Sequence, residues 1–66
     1  MDAGSDRAEL ATLRAQIDEL VTRVTAVAQS YDDAADSAVA DDLYAAERSL
    51  INARRLVDRA TGRLDA

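Results

Sequence analysis

The heptad pattern of this chain begins in the stretch LATLRAQIDELVTRVTAVAQSY, which covers residues 10–31. Apolar residues recur there at alternating steps of three and four, the spacing that places a continuous stripe along one side of a helix. The first stripe comprises Leu10, Leu13, Ile17, Leu20, Val24, Val27 and Tyr31. A second stripe with the same spacing comprises Val39, Leu43, Ala46, Leu50, Ala53, Val57, Ala60 and Leu64. The sequence therefore predicts two amphipathic helices.

The two stripes are out of phase, and the break lies in the segment SYDDAADS at residues 30–37. If one unbroken helix continued through this segment, Leu43, Leu50 and Val57 would no longer lie on the side of the first stripe. This argues against one long helix. Asp and Ser also favour local backbone hydrogen bonds over helix continuation. We therefore predict a single all-α domain, an antiparallel hairpin of two helices resembling a coiled coil. Its elements are helix 1 at about 6–32, a turn at about 33–36 and helix 2 at about 37–62.

Capping residues mark the ends of these helices. Asp6 followed by Glu9 is typical of an N-cap with its reciprocal partner, and Ser5 is an alternative cap one residue earlier. Asp36 or Ser37 would cap helix 2, and Gly62 would end it.

The two stripes also predict a register. Folding the chain back near position 35 sets residue i of helix 1 opposite residue 70 − i of helix 2, so that Leu20 would face Leu50. The alanines of the second stripe would then each face a larger residue, which lets the two backbones approach closely.

A lone hairpin of 66 residues buries too little apolar surface for a stable core, and the chain has no Cys or His to supply a disulfide or the usual soft metal ligands. Val21, Tyr44, Ile51 and Leu56 add apolar surface beside the stripes. We therefore expect two hairpins to form a homodimeric four-helix bundle, although a different protein supplying the other two helices fits the same pattern. The predicted core and interface residues are Leu10, Leu13, Ile17, Leu20, Val24, Val27, Tyr31, Leu43, Tyr44, Leu50, Ile51, Leu56 and Val57.

The charge balance excludes several classes of partner. Eight basic residues against thirteen acidic ones give a net charge of −5, which disfavours nucleic acids and anionic membranes. No apolar run is long enough to span a bilayer. Residues 1–6, MDAGSD, lack the basic flank and apolar run of a signal peptide, so we expect a cytoplasmic location.

Two groups of charged residues on helix 2 are candidate sites. Arg48, Asn52, Arg55 and Arg59 recur at steps of three and four and would form one outward stripe. Such a stripe suits a small anionic ligand such as a cyclic dinucleotide, or an acidic protein, but a solvated surface is the simpler interpretation. Glu47, Arg54 and Asp58 border the core and predict ion pairs that fix the register of the hairpin.

The aspartates around the turn suggest a metal site at first sight. They are Asp32, Asp33, Asp36, Asp41 and Asp42. A calcium loop needs alternating acids and a glycine at its sharp bend, and this segment has neither. We therefore expect no metal site.

Residues 10–20, LATLRAQIDEL, contain a Leu-Arg-x-x-Ile-Asp string that resembles the opening helix of the all-helical chorismate mutases. The resemblance covers about eleven residues and implies a catalytic role for Arg14. That family also uses a Lys and polar residues from later helices, whereas this chain has no Lys and no room for a third long helix. We therefore expect neither enzymatic activity nor a cofactor.

The sequence thus predicts a small non-enzymatic interaction or regulatory module. It would form a homodimer and present helical surfaces to another protein. The alternative function is a sensor of a small anionic ligand that uses the arginine stripe of helix 2.

Overall fold

The structure, a computed structural model, describes residues 2–32 and 37–65. It contains the helices α1, Ala3–Gln29, and α2, Ser37–Leu64. They pack against each other side by side in a rod 51 Å long. Arg7 near the start of α1 pairs with Asp65 just after the end of α2, so the helices run antiparallel. The predicted all-helical fold with two packed helices is confirmed, while the predicted turn at about 33–36 lies outside the described residues.

α1 begins earlier than predicted because Asp2 caps it, rather than Asp6 or Ser5. The Asp2 carboxylate accepts hydrogen bonds from the backbone N–H groups of Gly4 at 3.0 Å and Ser5 at 3.3 Å. These are donors that a helix start leaves without an intrahelical acceptor. Asp6 lies in the first turn of α1, where a negative charge interacts favourably with the helix dipole.

Both helices end at positions that differ slightly from the predicted ones. α1 ends at Gln29, where the Ser30 N–H and hydroxyl both donate to the Val27 carbonyl. α2 continues through Gly62 to Leu64, two residues beyond the predicted end at about 62. The prediction that Gly62 ends the helix is wrong: no described glycine has a positive φ, so Gly62 adopts an ordinary helical conformation at a modest cost in stability.

The side of α1 that packs against α2 is rotated about the helix axis relative to the predicted side. Among the described residues only Ala28 and Ala40 are fully buried, at 0% and 3% exposure. The apolar residues of α1 that α2 partly or fully covers are Leu10, Ile17, Val21, Val24 and Ala28. By contrast, four residues that the predicted register turned toward helix 2 are 39% to 50% exposed. They are Leu13, Leu20, Val27 and Tyr31.

The rotation follows from the width of the apolar arc on α1. Residues 10, 17 and 24 lie at its centre, with 13, 20 and 27 on one flank and 21 and 28 on the other. One partner helix covers only part of such an arc, and here α2 covers the centre and the flank of Val21 and Ala28. The periodicity alone does not distinguish between the two flanks.

Candidate interaction surfaces

Polar contacts between the two helices line one side of the hairpin, which we call the polar face. Its cross-helix pairs are Arg7–Asp65, Arg14–Asp58, Arg54–Asp18, Thr25–Glu47 and Tyr44–Asp32. In the first four pairs residue i of the α1 side lies opposite residue 72 − i of the α2 side, two positions from the predicted register. On a helical wheel all these residues project to the same side of the seam.

Asp18 is the centre of the polar face. Its carboxylate accepts from the Arg54 guanidinium at 2.8 Å and from that of Arg14 in the same helix at 2.7 Å. Arg14 also donates to Asp58 across the seam at 2.7 Å. The hydrogen bond from Arg54, with the positive charges of both arginines, lowers the pKa of Asp18, and the bond to Asp58 raises the pKa of Arg14. The four side chains therefore form one charged network that joins the helices.

The ion pairs predicted for Arg54 and Asp58 are present, whereas Glu47 forms a hydrogen bond instead of the predicted ion pair, and sequence reasoning missed the partners on α1. Arg54 and Asp58 were expected to form ion pairs beside the core, and Glu47 accepts the Thr25 hydroxyl. The partners Arg14, Asp18 and Thr25 follow one another at steps of four and seven and therefore lie on one side of α1. That spacing was the signal that could have identified them.

The polar face also includes an aromatic contact near the joined ends of the helices. The Tyr44 hydroxyl donates to the Asp32 carboxylate at 2.8 Å. This hydrogen bond raises the pKa of Tyr44, because the phenol must stay protonated to donate. Tyr44 and Ile51 are both partly buried, and their wheel positions place them on this face.

The opposite side of the hairpin is apolar, and we call it the open face. α1 contributes bulky residues with exposed side chains, and α2 contributes a row of alanines spaced by seven. The members are Leu13, Leu20, Val27 and Tyr31 of the α1 side and Ala46, Ala53, Ala60 and Leu56 of α2. Because both helices are right-handed and antiparallel, residues on the side of each helix away from its ion pairs must share this face.

A groove of about 300 Å³ lies on the open-face side of the hairpin at the free ends of the helices. It is lined by Asp6, Glu9 and Leu10 of α1 and by Ala60 and Leu64 of α2. The α1 and α2 residues around it are on the side opposite the ion pairs. The groove is therefore an apolar depression in the open face beside Ala60.

The predicted core and interface residues divide between the seam and the exposed surface. Those that the hairpin itself partly buries are Leu10, Ile17, Val24, Leu43, Tyr44, Leu50, Ile51 and Val57. Those that remain exposed are Leu13, Leu20, Val27, Tyr31 and Leu56, all on the open face.

The candidate arginine stripe lies on the outer side of α2. Arg48, Asn52, Arg55 and Arg59 are all exposed. Their wheel positions point away from α1 and away from the open face. Within the described residues none of these three arginines forms an ion pair, unlike Arg7, Arg14 and Arg54.

The described residues hold no cluster of acidic side chains suited to a metal ion, and neither described helix is long and apolar enough to cross a membrane. Comparison with protein-family models, with curated proteins and with solved structures finds no match to this chain.

Proposed function

We propose that this protein is a small non-enzymatic interaction module that pairs with a second copy of itself through the open face and presents its remaining helical surfaces to a protein partner. The observation that carries the proposal is the row of Leu13, Leu20 and Val27, between 39% and 50% exposed on one side of the hairpin. Contiguous apolar surface of this kind is characteristic of an interaction site.

The total surface of the chain supports the same proposal. A compact monomer of 7.1 kDa is expected to expose about 4,100 Å², whereas the hairpin exposes 4746 Å². The excess, roughly 650 Å², is close to the ~800 Å² that each partner buries in a standard protein interface. If a second hairpin covered this much of the open face, each chain would expose about as much surface as a compact monomer of its mass. The two hairpins would then form the four-helix bundle that the sequence predicts.

The homodimer leaves the arginine stripe and the polar face at the surface, because both point away from the open face. These surfaces are available to another protein without separating the two copies. A carboxylate-rich partner would suit the stripe, because guanidinium groups pair with carboxylates in two-point geometry.

The mass of the particle in solution tests the proposal. Native mass spectrometry at low micromolar concentration should give twice the 7.1 kDa chain mass. Leu20→Asp, on the open face, should weaken the dimer at least about tenfold, because it buries an unpaired charge at the centre of the interface. Since isolated hairpins of this size are marginal, its helix content by circular dichroism should fall on dilution.

Ala26→Asp is the matched control, since Ala26 is exposed and its wheel position points away from both α2 and the open face. It should retain the dimer. The proposal is wrong if the unmodified chain is a fully helical monomer at this concentration, or if Leu20→Asp dimerises as tightly as Ala26→Asp.

The second candidate function, a sensor of a small anionic ligand, rests on the exposed guanidinium groups of Arg48, Arg55 and Arg59 on one side of α2, which form no ion pair with the described residues. Cyclic di-guanosine monophosphate is a suitable probe. On the sensor hypothesis the melting temperature rises with ligand concentration, and Arg48→Gln with Arg55→Gln abolishes the rise while Arg23→Gln retains it. An unchanged melting temperature at millimolar ligand would rule this candidate out.

A further inference from the structure

We propose that the two copies pair with their joined ends at the same end of the bundle, so that α1 of each copy lies on α2 of the other. This arrangement rests on the proposed homodimer and specifies its partner surface. The two-fold axis then runs parallel to the helices, and every helix has antiparallel neighbours.

The inference rests on the difference in side-chain size between the α1 half and the α2 half of the open face. On one half of the face Leu13, Leu20 and Val27 form a raised row of α1. On the other half Ala46, Ala53 and Ala60 form a low row of α2, and the exposed Leu56 lies outside that row at the outer edge of α2. Rotation about an axis parallel to the helices places each raised row over the partner's low row. Bulky residues then fill the space left by small ones, as close packing of a bundle core requires.

The observed register makes these contacts specific. An axis parallel to the helices leaves the height of each residue unchanged, so residue i of α1 lies level with about residue 72 − i of the partner's α2. Leu20 then meets the partner's Ala53, Val27 meets the partner's Ala46, and Leu13 meets the partner's Ala60. The groove beside Ala60 is the space that the partner's Leu13 would enter.

Charges at the rim of the open face agree with this register. Glu9 lies on the open-face side of α1, where it lines the groove, and the wheel position of Arg63 places it at the outer edge of α2; both are exposed. In the proposed arrangement Glu9 is level with the partner's Arg63, so symmetry creates two favourable pairs at opposite edges of the bundle. The inference therefore has two supports, the shape of the face and the charge of its rim.

The other two-fold arrangement, with its axis perpendicular to the helices, fits the open face less well. It would place leucine row on leucine row and alanine row on alanine row. The two pairs of helices would then need different separations across one rigid face. It would also put the joined ends of the two copies at opposite ends of the bundle.

The distance between the two copies at one helix end tests the inference. The chain has no Cys, so Ser5→Cys provides a single site for a spin label at the free end of the exposed α1 surface. Pulsed electron–electron double resonance should give a distance below about 30 Å between the spin labels of the two copies. The two α1 helices are diagonally opposite in the proposed bundle, and their axes are therefore close together. Ala38→Cys, at an exposed position near the joined end, should also give a short distance.

The possible outcomes separate the two proposals. Distances approaching the 51 Å length of the hairpin at both sites would overturn the arrangement but leave the homodimer intact. No dipolar signal between copies would overturn the homodimer itself. Diluting labelled with unlabelled chain is the control, because it must reduce a signal that arises between copies.

A charge exchange tests the rim independently. Glu9→Arg and Arg63→Glu should each weaken the dimer by at least about twofold, because each variant removes both of the symmetric exposed ion pairs. The double variant should return the dissociation constant to within about twofold of the original value. A double variant weaker than either single one would overturn the pairing of Glu9 with the partner's Arg63.

Discussion

Individual residues of the polar face join α1 to α2, and Asp18 is the one whose carboxylate contacts two arginines. Its carboxylate bridges Arg54 of α2 and Arg14 of α1 at 2.8 and 2.7 Å. The pKa of Asp18 is lowered by the Arg54 hydrogen bond, so the folded hairpin favours the ionised carboxylate. Its contribution to stability is therefore present above the unfolded value of 3.8 and is lost as the pH falls through the folded pKa.

Asp18→Asn should lower the melting temperature at pH 7 by a few degrees, because it removes the charge that both arginines share. As the pH falls below 3.8 and then through the lowered pKa of folded Asp18, the carboxyl of the unmodified chain becomes protonated and resembles the amide, so the difference in melting temperature should shrink. Thermal unfolding by circular dichroism between pH 7 and pH 2.5 measures both effects. Glu19→Gln is the control, since it removes a neighbouring exposed charge without removing a described cross-helix contact. A difference that grows at low pH would contradict the assignment.

Tyr44 reports on closure of the joined end of the hairpin. Its hydroxyl donates to Asp32, and this bond raises the pKa of Tyr44 above 10.0. In a Tyr31→Phe background, ultraviolet absorbance of the tyrosinate follows Tyr44 alone. The midpoint should lie above pH 10, and Asp32→Asn should bring it down because the carboxylate acceptor and its charge are gone. An unchanged midpoint in Asp32→Asn would show that the two side chains are apart in solution.

At the scale of the helices, Gly62 is the residue least suited to its position in α2. It lies within the helix with no positive φ, and a Cβ atom added there would meet nothing within 4 Å. Gly62→Ala should therefore increase the free energy of unfolding by up to about 0.5–1 kcal/mol, by restricting the unfolded backbone.

Gly4→Ala is the matched comparison for Gly62→Ala. A Cβ atom at Gly4 would lie 3.4 Å from the Asp2 carboxylate oxygen that caps α1. We expect a smaller gain there, because the added methyl group borders the cap. Chemical denaturation followed by circular dichroism measures both variants. A loss of stability in Gly62→Ala would mean that α2 ends before Gly62, as the sequence alone suggested.

Two helices and their antiparallel packing could be predicted, because the apolar spacing and the phase break leave few other folds. The rotation of α1 could not, because its apolar arc is wider than one partner helix covers, and Leu20 and Val21 are equally apolar. The N-cap was missed because Ser5, Asp6 and Asp2 all have capping side chains within one turn.

At the scale of the whole molecule, the two sides of the hairpin have opposite character. The ion pairs and the Tyr44 contact hold α1 to α2 along the polar face, while the bulky residues of α1 are left on the open face. The centre of one wide apolar arc and its Val21 flank form the contact with α2, and its Leu20 flank is the surface that we propose pairs with a second copy. This division is how a chain with only two fully buried described residues would form the well-packed dimer that we propose.

The net charge of −5 per chain provides a further prediction for the homodimer. Pairing two such chains brings like net charges together, and this repulsion is screened as the Debye length falls from about 30 Å at 0.01 M to about 8 Å at 0.15 M salt. The proposed Glu9–Arg63 rim pairs would act in the opposite direction, but exposed pairs contribute little. We therefore expect the dissociation constant to decrease by at least about twofold over this range of salt, measured by sedimentation equilibrium.

Removing charge from the outer surface should reduce this salt dependence. Glu19→Gln with Asp41→Asn changes two exposed acids whose wheel positions point away from the open face, and brings the net charge of each chain from −5 to −3. Such a dimer should be tighter than the original at 0.01 M salt and nearly equal to it at 0.15 M, because screening has already removed the repulsion there. If instead added salt dissociates the dimer, attractive charge pairs rather than the apolar open face hold the copies together, and the apolar interface is wrong.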